Sequence, residues 1–273
     1  MEKSKLRPPA VAGQFYPSSP KELKEQIASL IDKKAAKSDA IGCILPHAGY
    51  MYSGAVAART ISHIHIRKKV ILLGPNHTGY GAKFSIVSEG SWQTPLGEVK
   101  IDSGLAKEIL RHSQYLEEDP LAHAYEHSLE VELPFLQYFR NDLEIVPIIL
   151  LSDEVETLKK IGSEIADTIT GLKLKDLPLL AASSDMTHYE PQEEAQKKDS
   201  QAIEAILELD EDKLMHTLRR LNISMCGYAP VITMISAAKR LGARKAKLIQ
   251  YQTSGDITQD KTSVVGYAGI ILY

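Results

Sequence analysis

Several segments of this chain are too continuously hydrophobic to be strands with one solvent-facing side. VILLG, EIVPIIL and PLLAAS each form such a run, and patterns typical of helices lie between them. Nearly continuous apolar runs are typical of parallel sheets, whose strands are buried on both faces because helices cover them. The chain is therefore expected to fold as strands alternating with helices around a central sheet.

The apolar pattern also predicts where these elements lie. Strands are expected at residues 41–45, 69–73, 144–150, 179–182, 245–253 and 263–272. Helices are expected at residues 21–33, 54–64, 103–112, 128–139, 154–170, 212–221 and 230–241, with a further long helix between Pro191 and Asp210. Residues 84–88 and 98–101 flank a turn-like segment at 92–97 and are expected to pair as a hairpin. The hairpin and the last two strands would add antiparallel pairing. The predicted fold is thus α/β, a three-layer α/β/α sandwich with a mixed, largely parallel central sheet.

Composition narrows the range of functions. The 273 residues include 32 basic and 35 acidic side chains, so there is no basic excess to neutralise nucleic-acid phosphates. No apolar run approaches the roughly 20 residues of a membrane-spanning helix, and the N-terminal residues lack a long apolar stretch. Only Cys43 and Cys226 are present, which argues against a disulfide framework. A cytoplasmic protein that binds neither nucleic acid nor membrane is expected.

Histidines occur in the turns that follow two of the predicted strands. His47 lies in PHAGY after residues 41–45, and His77 lies in GPNH after residues 69–73. Side chains just past the carboxyl ends of strands in a βα sheet converge on one crevice, and imidazoles are common metal ligands there. Either residue alone could be a turn histidine bonded to the backbone. The shared edge of the sheet makes the pair a candidate metal site.

A third strand end carries Asp185 and His188, in the segment SSDMTHY. Asp-x-x-His in a tight turn can place a carboxylate beside an imidazole, which could orient a ligand or act as a general acid and base. The alternative is a polar turn that caps a helix, because aspartate and serine favour such positions.

Cys226 lies shortly before Pro230, where a helix is expected to begin. A thiol at a helix N-terminus has a lowered pKa, which suits metal ligation or nucleophilic chemistry. The alternative is a small buried hydrophobic residue, as is expected for Cys43.

The segment EHSLEVE is expected to open an amphipathic helix in which His127 and Glu130 share one face. His127 is a candidate pocket residue rather than a metal ligand. His123 precedes it by four residues, and on one continuous helix the two would form a metal-like pair. The acidic residues also fit ordinary placement in the first turn of a helix.

Taken together, these segments resemble the Memo family, which is related in fold to the class III extradiol dioxygenases. The matching motifs, which cover nearly the whole chain in the expected order, are RPPAVAGQFYP, ILPHAGYMYSG, ILLGPNHTGYG, WQTPLGEV, EHSLEVELPFLQ, SSDMTHY, CGYAP and YQTSGD with VVGYAGI. The resemblance implies a single Memo-like domain over residues 1–273. It implies a metal pocket formed by His47, His77 and Cys226, with Asp185 and His188 beside it.

The resemblance also implies chemistry. Extradiol dioxygenases hold Fe(II) on two histidines and a glutamate, and here Cys226 is expected at the third position. A thiolate changes the charge and softness of the site and can favour copper. The first hypothesis is therefore a non-haem iron or copper redox protein that uses O₂, with Fe²⁺ as the first choice of metal. His188, Asp185 and His127 are its candidate catalytic residues.

Two other functions stay open. A non-enzymatic binding or scaffold protein could keep the pocket for a small molecule or a peptide. Microbial members of the family resemble one partner of a set that includes a radical SAM protein, and animal members are described as binding copper, iron and phosphotyrosine segments. The third hypothesis is a zinc hydrolase, because two histidines, a cysteine and water match a catalytic zinc site. His188 or Asp185 would then be the base.

Overall fold

A computed structural model describes residues 6–273, which form a mixed sheet of twelve strands flanked by helices. The strands are β1 (Leu6–Arg7), β2 (Gly42–Leu45), β3 (Lys69–Pro75), β4 (Phe84–Ile86), β5 (Ser91–Thr94), β6 (Gly97–Ile101), β7 (Glu117–Glu118), β8 (Glu144–Leu150), β9 (Leu179–Ser183), β10 (His188–Glu190), β11 (Ala246–Thr253) and β12 (Val264–Leu272). The helices are α1 (Pro20–Leu30), α2 (Gly54–Ser62), α3 (Ser103–His112), α4 (Pro120–His123), α5 (Leu133–Phe139), α6 (Val155–Gly171), α7 (Gln192–Leu207), α8 (Glu211–Leu221), α9 (Tyr228–Arg240) and α10 (Gly255–Thr258), with a 3₁₀ turn at Glu130–Glu132.

The strand order of the sheet is β1-β5-β6-β8-β3-β9-β2-β12-β10, and β11 pairs with β12. The four central strands β8, β3, β9 and β2 are mutually parallel. Antiparallel pairs lie towards the two ends, where β5 pairs with β6 and β12 pairs with β2, β10 and β11. The predicted fold class, a mixed and largely parallel sheet within an α/β sandwich, is confirmed.

The core explains why the central strands are so apolar. Every residue of β2 and β9 is buried, as is all of β3 and β8 except the first residue of each. Helix α9 covers the central strands and packs against α6, while α2 packs against β2, β11 and β12. Each aliphatic side chain buried in this way stabilises the fold by about 1.5–3 kcal/mol. No helix within residues 6–273 is both long enough and apolar enough to cross a membrane.

The predicted hairpin is wrong in its first strand. Trp92, expected in the turn, lies in β5, which pairs with β6 in the register Trp92 to Val99. Residues 84–88 were expected to pair with residues 98–101. They contain β4 instead, which pairs with β8 and β7. The predicted turn near Pro95 and Gly97 is present and joins β5 to β6. The strands that pair with β4 lie much later in the chain.

The predicted helix at 128–139 is also shorter than expected. The 3₁₀ turn Glu130–Glu132 precedes α5, which has Pro134 in its first turn. His127 lies before both elements, so its predicted helical relation to His123 and Glu130 is wrong. The physical reason is that the carboxylates of this segment are buried and bound to other parts of the chain, and this determines the local backbone path.

Candidate metal centre

The candidate site lies at the carboxyl ends of three adjacent parallel strands, because β9 sits between β2 and β3. Leu45 of β2 is in register with Ser183 of β9, so His47 and Asp185 each lie two residues past a paired position. His77 lies two residues past the end of β3. The sheet topology therefore delivers all three side chains to the same edge, where a crevice forms in folds of this kind.

The structure brings His47, His77 and Cys226 together. One ligand atom from each residue, a ring nitrogen or Sγ, lies within 4.8 Å of the other two. His47 Nε2 lies 3.3 Å from Cys226 Sγ. Ligand atoms of a tetrahedral site with bonds of about 2.0–2.3 Å lie roughly 3.5 Å apart. The donor set and its spacing therefore fit a single transition-metal ion.

Cys226 reaches the site through a turn that packs tightly against the end of β9. Gly227 N donates to Ser184 Oγ at 3.0 Å, and a Cβ at Gly227 would overlap the Ser183 carbonyl oxygen. Asp185 N donates to Cys226 Sγ at 3.3 Å. Glycine is thus required for the close approach that places the thiol beside His47.

The expectation of a lowered thiol pKa is wrong for the protein without metal. Helix α9 begins at Tyr228, so Cys226 precedes its first turn. Burial raises the pKa of Cys226 well above its usual range, and the nearby Asp185 carboxylate adds to the effect. Metal ligation would therefore require the ion to displace the thiol proton, which is released as the thiolate binds.

His47 is buried and held at several points. Its backbone N–H donates to Asp185 Oδ1 at 2.9 Å, and its Nδ1 lies 2.8 Å from Ser183 Oγ. Burial lowers the pKa of His47 well below its usual value, and the neighbouring imidazoles act in the same direction. A neutral ring is the form that binds a metal, and the contact at Nδ1 leaves Nε2 directed to Cys226.

Asp185 and His188 lie beside the cluster, as predicted. Burial raises the pKa of Asp185 to about 7, although backbone N–H groups of His47 and Ala48 oppose the shift. His188 Nδ1 lies 2.9 Å from the Ser224 carbonyl oxygen. A carbonyl only accepts, so Nδ1 carries a proton, and in the neutral tautomer the lone pair of His188 is on Nε2.

His77 and His127 stack on each other, with ring centroids 4.9 Å apart and planes 11° from parallel. His127 also contacts Phe15 and His47. Partial desolvation, with His127 and His188 nearby, lowers the pKa of His77 to about 4. His127 is therefore a pocket residue beside a candidate ligand, whereas His123 is buried against Trp92 and is absent from the residues that line the pocket.

A cavity of about 460 Å³ opens beside the cluster. Its lining contains aromatic and histidine side chains but no lysine or arginine, within the part of the chain that the structure describes. The tyrosines Tyr52 and Tyr189 line this cavity. Tyr16, Tyr50 and Trp92 are instead buried in the core.

The sequence did not indicate the polar residues behind His47. Ser183 Oγ contacts His47 Nδ1, and it also lies 2.8 Å from the Ser128 carbonyl oxygen and 3.1 Å from Glu132 Oε1. Two signals were available: Ser183 is the last residue of an apolar strand, and Glu132 lies in an otherwise apolar stretch of EHSLEVELPF. Neither identifies its partner, because the contact joins residues 51 positions apart.

Fold and site together define a class of protein: an α/β sandwich with a His, His and Cys cluster at the carboxyl edge of its parallel strands. The family model described as Memo-like protein matches residues 7–271. The chain therefore belongs to the Memo family, and the resemblance seen in the sequence motifs is confirmed.

Relatives of similar length support the assignment. A MEMO1 family protein of Methanopyrus kandleri is 41% identical, covering 97% of this chain and 98% of the relative. Those of Methanocaldococcus jannaschii and Aquifex aeolicus are each 44% identical, and both alignments cover 98% of this chain and 99% of the relative. The crystal structure of an uncharacterized protein from Escherichia coli K12 has a TM-score of 0.57 at 13% identity, covering 84% of this chain and 98% of that one. At this identity the likeness concerns the fold alone.

Proposed function

We propose that this protein holds one redox-active transition-metal ion on His47, His77 and Cys226, and uses it in a redox reaction of a small molecule bound in the adjacent cavity. The observation that carries the proposal is the convergence of three ligand atoms, within 4.8 Å of one another, beside a cavity of about 460 Å³. Iron, as Fe²⁺, is the first choice and copper the second, because imidazole and thiolate ligands suit both.

The surrounding residues support this role. When bound, the ion would supply Lewis-acid and electron-transfer chemistry, and three protein ligands leave positions free for small molecules. His188 lines the cavity, and its Nδ1 is held by the Ser224 carbonyl, so its Nε2 is the candidate to accept or return a proton. Asp185 holds the His47 backbone, and His127 packs flat on the His77 ring.

Anaerobic purification followed by elemental analysis tests the metal. We expect wild type to carry iron or copper in proportion to protein, and Cys226→Ser and His47→Ala to lose most of it. Cys43→Ala is the matched control, because Cys43 is buried in β2 rather than in the cluster, and it should keep the wild-type content. Unchanged metal in Cys226→Ser would show that the third ligand is wrong.

Metal binding should also stabilise the folded protein. An ion at a concentration of 100 times its Kd raises the free energy of unfolding by about 2.7 kcal/mol. We expect this increase in wild type and in Cys43→Ala, but not in Cys226→Ser, when unfolding is followed with and without metal. Consumption of O₂ with catechol-like compounds then tests turnover. Zinc as the sole metal, with no O₂ consumed, would contradict the redox role and favour a hydrolase.

A binding role is the second candidate, favoured by the aromatic side chains along the cavity. Phe15, Tyr52, Tyr189 and Tyr267 line it, and Tyr189 is 79% exposed. Such surfaces suit a peptide or a flat small ligand, and a radical SAM protein is the partner that the family resemblance suggests. Recovery of a partner by pull-down that is unaffected by chelation, from a protein without O₂-dependent activity, would favour this function over the first.

A further inference from the structure

The hydroxyl group of Ser183 has three close polar neighbours. His47 Nδ1 lies 2.8 Å from Ser183 Oγ, the Ser128 carbonyl oxygen 2.8 Å, and Glu132 Oε1 3.1 Å. A serine hydroxyl has one proton to donate and two lone pairs to accept with. All three contacts can therefore be hydrogen bonds only if two of the neighbours donate.

Counting protons assigns the donors. The Ser128 carbonyl can only accept, so it takes the single Ser183 proton. His47 must then donate from Nδ1, and the Glu132 carboxyl must donate from Oε1. If Ser183 donated to Glu132 or His47 instead, its oxygen would face the Ser128 carbonyl at 2.8 Å without a proton between them.

The surroundings of Glu132 agree with a neutral carboxylic acid. Its side chain is 1% exposed, Oε2 has no hydrogen-bond partner, and no ion pair to it occurs in residues 6–273. Burial raises the pKa of Glu132 well above its usual value. Glu130, two residues earlier and equally buried, has an arginine partner 2.7 Å away. An unpaired buried carboxylate would be costly, which favours the protonated form.

We infer that Glu132 is a positioning residue of the candidate metal centre, which acts as a neutral acid through Ser183. It donates to Ser183, Ser183 accepts from His47 Nδ1, and the proton on Nδ1 leaves Nε2 of His47 free to bind the ion. The effect on the metal rests on the proposed function. The arrangement of protons does not, because it can be observed without metal.

Two measurements on the metal-free protein test the proton arrangement at neutral pH. The infrared difference between wild type and Glu132→Gln should contain the C=O band of a protonated carboxylic acid. NMR of protein labelled with ¹⁵N in histidine should show His47 protonated at Nδ1 in wild type. Ser183→Ala should lose this preference. Absence of the acid band would overturn the inference, whether or not the protein binds metal.

Titration with Co²⁺, followed by its visible absorption, tests the consequence for the ligand. Loss of such an outer hydrogen bond usually weakens metal binding by about 10- to 100-fold, and we expect this for Glu132→Ala and Ser183→Ala. Glu132→Gln should stay within about 3-fold of wild type, because its amide donates to Ser183 without a charge. Ser85→Ala is the control, since this buried hydroxyl contacts the Asp119 carbonyl and not the cluster.

The outcomes separate the two proposals. Rescue by Glu132→Gln but not by Glu132→Ala supports a neutral hydrogen-bond donor. Equal weakening by both variants would overturn the inference, because the site would then need a carboxylate. If wild type bound no Co²⁺, the proposed function would fail, and the infrared and NMR results would still decide the state of Glu132.

Discussion

Two polar clusters both include residues from the segment Glu126–Glu132, but the hydrogen-bonding groups of the two clusters are paired in different ways. In the first, Glu130 accepts from the Arg7 guanidinium and from Tyr16, at 2.7 Å each. It also accepts from the backbone N–H groups of Ala10 and Val11. Arg7 in turn stacks over Trp92 at 4.1 Å. This ionic cluster fastens the residues before α1 to the rest of the fold.

The second cluster is the candidate metal centre, to which the same segment contributes His127 and Glu132. Burial lowers the pKa of the His47, His77 and His127 rings, which favours their neutral forms, and no lysine or arginine is among the described residues that line its cavity. The ring nitrogens of His77 and His127 have no hydrogen-bond partner in the described residues. The Glu130 carboxylate and the Arg7 guanidinium find hydrogen-bond partners within residues 6–273, whereas the ring nitrogens of His77 and His127 do not. The difference teaches that the pairing of Arg7 with Glu130 stabilises the fold, whereas the unpaired ring nitrogens of the second cluster fit the binding role proposed for it.

The largest expected difference between the two clusters is in stability, and it is tested by the same substitution at Glu130 and at Glu132. Glu130→Gln leaves the largely buried Arg7 side chain beside a neutral amide, and loss of one partner of a buried ion pair usually costs about 3–5 kcal/mol. Glu132→Gln replaces a neutral acid by a neutral amide of the same shape, so we expect it to cost less than about 1 kcal/mol. Unfolding of the metal-free proteins in urea measures both. Equal losses would show that the two carboxyl groups have the same charge.

A smaller effect is expected from pH at His123, which lies on the ionic side. Burial and the charge of Arg7 lower the pKa of His123 to about 3. In the unfolded chain its pKa is near 6.5, so between these values the unfolded state binds the proton that the folded state does not. Stability is therefore lost as pH falls from 6.5, by about 1.4 kcal/mol per pH unit at most.

His123→Leu should remove this dependence. From pH 7.5 to pH 5, wild type should lose about 2 kcal/mol relative to the variant, measured as the difference in unfolding free energy at each pH. His216→Leu is the control, because His216 is solvated in both states. A difference between wild type and His123→Leu that did not change with pH would mean that His123 is not a buried neutral ring.

The sequence predicted most of the fold because strands buried on both faces are almost continuously apolar, and this pattern is visible in a short stretch of sequence. The helix Ser103–His112 and the strand Glu144–Leu150 have the bounds that the pattern predicted. The errors arose where distant residues decide the structure. Strand β4 pairs with β8 rather than with its neighbour in sequence, and the turn Glu130–Glu132 follows its buried carboxylates. Neither partner can be read from a local pattern.

The sequence predicted which residues form the candidate site, but not which residues hold His47 in place. The ends of three strands indicated His47, His77 and His188, a predicted helix start indicated Cys226, and the family resemblance placed Cys226 as the third ligand. The order of the sheet, with β9 in the middle, is what brings Asp185 and Ser183 behind His47. The pKa of Cys226 could not be predicted, because the sequence indicated a nearby helix start but not the depth of burial that raises it.

The two clusters differ, finally, in backbone strain, and this gives the smallest expected effect. Tyr189, at the cavity, has a φ of 61°, whereas no residue of the Arg7 cluster has a positive φ. A residue other than glycine loses about 1–2 kcal/mol of stability when its φ is positive. The Tyr189 ring is 79% exposed, so its burial contributes little free energy to offset this cost. A β-bulge between His188 and Glu190 holds the tyrosine there.

We expect Tyr189→Gly to raise the free energy of unfolding by about 0.5–1 kcal/mol, while Tyr125→Gly, at an exposed residue without positive φ, should lower it. Destabilisation by Tyr189→Gly would instead show that the ring supports the fold and is not kept for a ligand.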